Sequence, residues 1–121
     1  MQEFLGKCCL GQPGTTEDFQ PEWEARRFFI GGKMYAMIGA HKDGRPIITL
    51  KGDPLEAPLL RERYRDVIPG YYMNKTHWNS VYLDGAVPKE ELERLIQIAY
   101  RLVLGSLPKG VQARIAAGGG Q

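Results

Sequence analysis

Between Pro88 and Gly105 a single stripe recurs: Leu92, Leu95, Ile96, Ala99, Leu102 and Val103 return at spacings of three and four residues. A helix that is apolar on one side only must cover another surface, so the rest of the chain has to supply that surface. Glu90, Glu91 and Glu93 stand in the first turns, where the helix dipole favours negative charge, and Gly105 and Pro108 end the run. The surface is legible upstream. Two β-prone runs, Arg27–Ile30 and Lys33–Ile38, flank Gly31-Gly32, a pair able to take the positive φ angles of a tight hairpin. A turn at Lys42-Asp43-Gly44 leads into Pro46–Leu50, and Trp78–Leu83 alternates as far as Asp84-Gly85. Strands grouped in this way, with helices inserted between and after them, predict an α+β domain. Its sheet is mostly antiparallel and covered by helices on one face, not doubly wound and parallel.

The remaining segments fit around that plan. Residues 2–10 form a short helix with Phe4, Leu5, Cys8 and Cys9 on one side, ended by Gly11, Pro13 and Gly14. Thr15–Glu24 is polar and acidic and reads as a loop, with Phe19 and Trp23 folding back onto the body. Asp53-Pro54-Leu55-Glu56 looks like a helix start with Asp53 as N-cap, the helix running to about Tyr64 and Pro58 disturbing its first turn. With 121 residues and 43% hydrophobic content, one core needs neither disulfides nor a metal. One domain is expected over residues 1–117, followed by a flexible glycine-rich tail at 118–121. Cys8 and Cys9 are neighbours and close no useful loop; Met1–Leu10 carries Glu3 and Lys7 and lacks the apolar run of a signal peptide. No stretch approaches the roughly 20 apolar residues of a membrane span. The reading is therefore a cytoplasmic protein without membrane contact.

Chemical information concentrates in Pro69-Gly70-Tyr71-Tyr72-Met73-Asn74-Lys75-Thr76-His77-Trp78-Asn79, with Arg61, Arg63 and Arg65 just upstream. Cations beside flat rings suit a nucleic-acid surface, since the cations neutralise phosphates and the rings stack on bases, while Asn74 and Asn79 offer hydrogen bonds to either. Each residue also has a plainer use: Trp78 and Tyr82 as sheet packing, Arg61 and Arg65 as a solvated helix face shared with Glu62 and Asp66. The chain carries 16 Lys plus Arg against 14 Asp plus Glu, so attraction to polyanions has to come from clustering. Two distant histidines, His41 and His77, and two adjacent cysteines give no metal-ligand spacing. Gly31-Gly32-Lys33 lacks the spacing of a phosphate loop, and no nucleophile motif stands around Ser80 or Ser106. No enzyme, metal or cofactor is expected. A catalytic use of His77 as a base would require a cleft holding a paired carboxylate.

The same residues carry a family resemblance. Pro69-Gly70, Met73-Asn74-Lys75 and His77-Trp78-Asn79 resemble the P-G-x-x-M-N-K-x-H-W-N core motif of the MmcQ/YjbR family. Gly32-Lys33-Met34-Tyr35-Ala36 resembles its G-K-M-F-A hairpin, with Tyr35 in place of the commoner Phe, and Pro13-Gly14-Thr15-Thr16-Glu17 its P-G-T-x-E segment. Leu50-Lys51, Asp53-Pro54, Leu60-Arg61 and Leu107-Pro108-Lys109 follow in the family's order, so the resemblance spans residues 1 to about 111. It implies a double-split β-α-β arrangement similar to the frataxin-like fold, and it implies DNA binding. The expected interface comprises Lys51, Arg61, Arg65, Lys75 and Lys109 as phosphate contacts, shaped by Tyr72, Asn74 and His77, with DNA preferred to RNA. The alternative is a small-anion or protein-interaction module, in which Tyr72, His77 and Trp78 line a pocket beside the sheet and Lys75 captures an anion.

Overall fold

The computed structural model describes residues 1–71 and 73–118. Six strands form one sheet in the order β1-β2-β3-β4-β6-β5, every adjacent pair antiparallel. In chain order the elements are α1 (Gln2–Leu10), β1 (Thr16–Gln20), β2 (Ala25–Ile30), β3 (Lys33–Ala40), β4 (Pro46–Lys51), α2 (Ala57–Arg63), β5 (Val67–Pro69), β6 (Trp78–Tyr82), α3 (Lys89–Gly105) and α4 (Lys109–Ala116). Because β6 lies between β4 and β5 and runs against both, β4 and β5 are parallel and separated by one strand. The unit β4-α2-β5 is thus a split β-α-β, as the resemblance implied.

The sheet has an apolar face on which the helices pack. Phe28, Ile30, Ile48 and Val81 from the strands meet Leu92, Ile96 and Val103 of α3, with Leu5 and Cys9 of α1 in the same buried cluster. The β2–β3 hairpin turns where expected, with φ of 58° at Gly31 and 81° at Gly32, angles that glycine adopts without steric cost. Phe28 pairs with Ala36 and Phe29 with Met34, so Tyr35 is an extra residue in β3. That bulge turns Tyr35 into the core, where its hydroxyl donates to Cys9 O at 2.9 Å and its ring meets Tyr100 edge-on at 5.5 Å.

Several features differ from the reading of the sequence. Thr15–Glu24 is not all loop: β1 forms the sheet edge, and its acidic residues make cross-strand pairs, Glu17 to Arg26 and Asp18 to Arg27, each at 2.6 Å. Phe19 does not fold back; it is 57% exposed, whereas Trp23 is half-buried. The start of α2 moves to Ala57, because Pro58 lacks the N–H needed deeper in a helix and is tolerated only in the first turn. Asp53 instead closes the preceding turn, its Oδ1 accepting from Leu55 N at 2.7 Å and its carbonyl from Ala57 N at 2.8 Å. The short strand β5 and the helix α4 add to the plan; α4 is anchored by buried Ile115 with Val111 against the core. Gly118, expected as the first residue of the tail, has φ of 83° and donates to Ile115 O at 3.0 Å at the end of α4; residues 119–121 lie outside the described residues.

Candidate functional site

The motif segment leaves β5 at Gly70, whose amide donates to Trp78 O at 2.8 Å, and then crosses the sheet face opposite the helices. Tyr71 N donates to Ser80 Oγ at 2.9 Å, and Ser80 Oγ lies 2.6 Å from Thr49 Oγ1, both hydroxyl residues being fully buried. The Tyr71 ring reaches His41 at 4.5 Å; His41 also meets Tyr82 at 5.5 Å, and the Arg45 guanidinium lies 3.6 Å over Tyr82. The sheet is therefore closed on both faces, by helices on one and at its centre by this loop on the other. Asn74 organises the return: its Oδ1 accepts from Thr76 N at 2.8 Å and His77 N at 3.2 Å. The His77 carbonyl then accepts from Gly52 N at 2.8 Å. The main chain of His77, not its ring, ties the loop to the end of β4. The histidine with a carboxylate neighbour is His41, whose buried Nδ1 lies 3.4 Å from Asp43 Oδ1 but is not aligned to hydrogen-bond it.

Four of the expected contact residues meet at one corner. Lys51 pairs with Trp78 in register and places its ammonium 5.4 Å from the indole; Lys75 Nζ lies 3.4 Å from Gly70 O; Asn74 and His77 belong to the same loop. The others are elsewhere. Arg61 turns inward, its Nη1 donating to Asn79 Oδ1 at 2.7 Å. Arg65 precedes β5 while Gly70 follows it, so the three residues of that strand, about 10 Å of extended chain, lie between Arg65 and the Lys75 contact. Lys109 heads α4, and in the sheet order the neighbouring β2–β3 turn, over which Leu107 packs, is two strands from β6. Tyr72 lies outside the described residues. Asn79, expected as a hydrogen-bonding group for nucleic acid, is 5% exposed and commits its Nδ2 to Ala57 O at 3.1 Å. Several other cations are joined to carboxylates: Arg26 to Glu17, Arg27 to Asp18, Arg45 to Asp84 and Arg94 to Glu91. Hydrogen bonds from Arg45 and Arg94 hold Asp84 and Glu91 below the usual carboxylate range. The surface is of mixed sign and does not form one basic strip.

The structure adds a feature that the sequence does not announce. Between α2, α3 and the helix-covered face of the sheet lies a cavity of about 300 Å³. Its apolar wall includes Leu50, Leu60, Val67, Val81, Leu95 and Ile98. Its charged lining residues are Lys51, Asp53 and Glu56, which precede α2 in the chain, Arg63, the last residue of α2, and Arg94 of α3. Asn79 also lines it, and through Arg61 and Ala57 O fastens α2 above it. Trp78 and His77, expected to form a pocket, do not line this one; Trp78 alternates to the other sheet face. The one signal in the sequence was the apolar content of Leu55, Leu59 and Leu60 in so short a helix region; Leu59, which lines the cavity, is 54% exposed, and Leu55 is 80% exposed. Among the described residues no group of three His, Cys, Asp or Glu is placed to hold a metal ion.

Comparison with known proteins agrees with this architecture. A family model described as YjbR matches residues 10–102, which include the hairpin, the split unit and the motif loop. The chain belongs to the YjbR family. The Escherichia coli K12 protein described as uncharacterized protein YjbR is 33% identical over 101 residues, covering 84% of this chain and 85% of its own length. Uncharacterized protein YbdF of Escherichia coli O157:H7 is 39% identical over 100 residues, 83% of this chain and 80% of that protein. Among solved structures, Deinococcus radiodurans DR2400 superposes with a TM-score of 0.85 at 31% identity, covering 96% of this chain and 88% of that one. A Pseudomonas syringae crystal structure gives 0.67 at 28% identity over 84% of this chain and 96% of the other. The YjbR fold is thus shared by chains of similar length, and in this member no described helix is long and apolar enough to cross a membrane.

Proposed function

We propose that this YjbR-family protein is a ligand-binding module that holds a small, largely apolar molecule in the cavity beneath α2 without transforming it. The observation that carries this reading is the cavity itself. Its volume of about 300 Å³ falls at the lower end of small-molecule sites, roughly 300–1,000 Å³, and its wall is largely aliphatic with a few polar groups. Supporting it, α2 is only seven residues long and is fastened by one buried asparagine, which suits a lid better than a core element. Thermal-shift and calorimetric titration with small amphipathic compounds tests this. Saturable stabilisation is expected, together with its loss in Ile98→Trp, where the indole occupies the cavity. Stabilisation that persists unchanged in a folded Ile98→Trp protein defeats the reading.

A second reading is favoured by one specific observation: the ammonium groups of Lys51 and Lys75 share a corner, and neither is ion-paired to a carboxylate among the described residues. Such a corner suits phosphate contact, with DNA placed ahead of RNA only by the family resemblance. Two contacts imply a slope of log K against log salt of about −1.8, where the five cations read from the sequence imply about −4.5. Fluorescence anisotropy on a labelled duplex between 20 and 200 mM salt, figures of about that order being usual for such titrations, measures it. Absence of binding at the lowest salt, or no change in Lys51→Ala/Lys75→Ala, removes this reading.

A further inference from the structure

We infer that the occupant of the cavity beneath α2 is a medium-length carboxylic acid, its chain among the aliphatic wall residues and its carboxylate at Arg63. The inference rests on the cavity reading above and adds the ligand's chemical class.

Size sets the first limit. At about 30 Å³ per small group, the volume of a water in the liquid, 300 Å³ takes roughly ten non-hydrogen atoms. Eight carbons and a carboxylate's two oxygens fill it.

Charge sets the second, because the charged lining groups are not equally available. Asp53 and Glu56, ahead of α2, are carboxylates, and the Lys51 ammonium lies over the Trp78 ring, so that part of the lining repels an anion. The other charged lining groups are the guanidiniums of Arg63, at the end of α2, and of Arg94 on α3. Arg94 is committed there, with Nε at 2.8 Å from Glu91 Oε1 and Nη2 at 2.6 Å from Oε2, which leaves that pair neutral. Arg63 is exposed, lies 5.2 Å from the Tyr64 ring, and has no carboxylate within ion-pair distance among the described residues. A guanidinium in that state matches a carboxylate through two parallel N–H···O bonds. Glu91 also feels the Arg63 charge, but both its oxygens are taken by Arg94, so one guanidinium charge remains to balance one negative charge. A phosphate monoester would bring nearly two, beside the Glu91 carboxylate, and is disfavoured.

Geometry at the lid agrees. Arg63 is the last residue of α2, so a ligand bound to it and to the wall below bridges the lid to the sheet. The Asn79 amide holds the other parts of the same helix, Ala57 and Arg61, from beneath.

The test uses the full chain with octanoate, 1-octanol and octyl phosphate as probes, read by calorimetry and by thermal shift. Octanoate is expected to bind saturably and at least tenfold more tightly than 1-octanol or octyl phosphate. Arg63→Ala is expected to lower octanoate affinity about tenfold and leave 1-octanol unchanged, while Ile98→Trp removes both. Should Ile98→Trp fail to fold, Leu60→Phe fills the same space from α2 and serves in its place. Equal affinity for octanoate and 1-octanol, or octanoate binding indifferent to Arg63→Ala, overturns the carboxylate assignment and leaves the cavity reading standing. Failure of all three probes to bind overturns the cavity reading, and the assignment with it.

Discussion

Asn79 stands at the end of the H-W-N motif, and its replacement by alanine isolates what that position contributes. The side chain is 5% exposed and makes two bonds from β6 to α2: Oδ1 accepts from the Arg61 guanidinium at 2.7 Å and Nδ2 donates to Ala57 O at 3.1 Å. The first is charge-assisted and worth about 1.5–3 kcal/mol net; the second, between neutral groups, about 1 kcal/mol. Arg61 is half-buried and recovers part of the loss by turning to water, and the Ala57 carbonyl keeps its place in the first turn of α2. Asn79→Ala is therefore expected to cost about 2–3 kcal/mol, a large share of the roughly 5–15 kcal/mol that holds such a domain together. Urea unfolding at pH 7 measures the total. Amide hydrogen exchange localises it, with protection in residues 57–63 falling before that of β3 or β4. A double-mutant cycle with Arg61→Met should return a coupling energy above about 1 kcal/mol. A loss under 0.5 kcal/mol, with exchange in α2 unchanged, would falsify the assignment of Asn79 as the fastening of this helix.

Three further outcomes are expected. Gly31→Ala should destabilise by about 2–3 kcal/mol, because its φ of 58° is strained for alanine and its new Cβ would stand 2.6 Å from Leu107 Cδ1; Gly32→Ala, with no atom within 4 Å, should cost only the backbone share of about 1 kcal/mol. Equal losses in the two variants, by urea unfolding, would refute the steric part. The Arg94 hydrogen bond lowers the Glu91 pKa, so its stabilisation is present above the unfolded carboxylate value of about 4.3 and fades as pH falls through the lower folded value. Urea midpoints at pH 7 and pH 3 should differ less in Glu91→Gln than in the parent, and an undiminished difference contradicts this. Burial pushes the Cys9 thiol up to about 12, so at pH 8 a disulfide reagent should leave Cys9 unmodified in the native protein and react with both cysteines after denaturation. Rapid native labelling of Cys9 argues against its burial between α1 and the core.

Much of the fold was written locally. The 88–105 stripe, the Gly31-Gly32 turn and the alternation over 78–83 each carry their own period or φ requirement, and each formed the element expected. β1 was hidden because its stabilisation lies in another strand: Glu17 and Asp18 look like loop residues until Arg26 and Arg27 stand opposite them. β5 is three residues long and α4 has only Val111 and Ile115 to anchor it, too little for any periodic signal.

The candidate sites divide in the same way. Sequence identified the motif loop and its cations, but the direction of a side chain depends on which strand face it leaves and what packs there. Alternation along β6 sends Asn79 toward α2 and Ser80 toward Tyr71, so residues adjacent in the motif serve opposite faces of the sheet. Arg61 followed Asn79 inward, and the expected basic strip was reduced to the Lys51–Lys75 corner. The cavity needed three elements brought together, with Leu60 from α2, Leu95 and Ile98 from α3 and Val81 from β6, and no local pattern encodes an unfilled space between elements distant in the chain. By itself the sequence determined the periods, the turns and the family; tertiary structure decided burial, charge pairing and where a ligand fits, because those depend on contacts between residues that the chain order keeps apart.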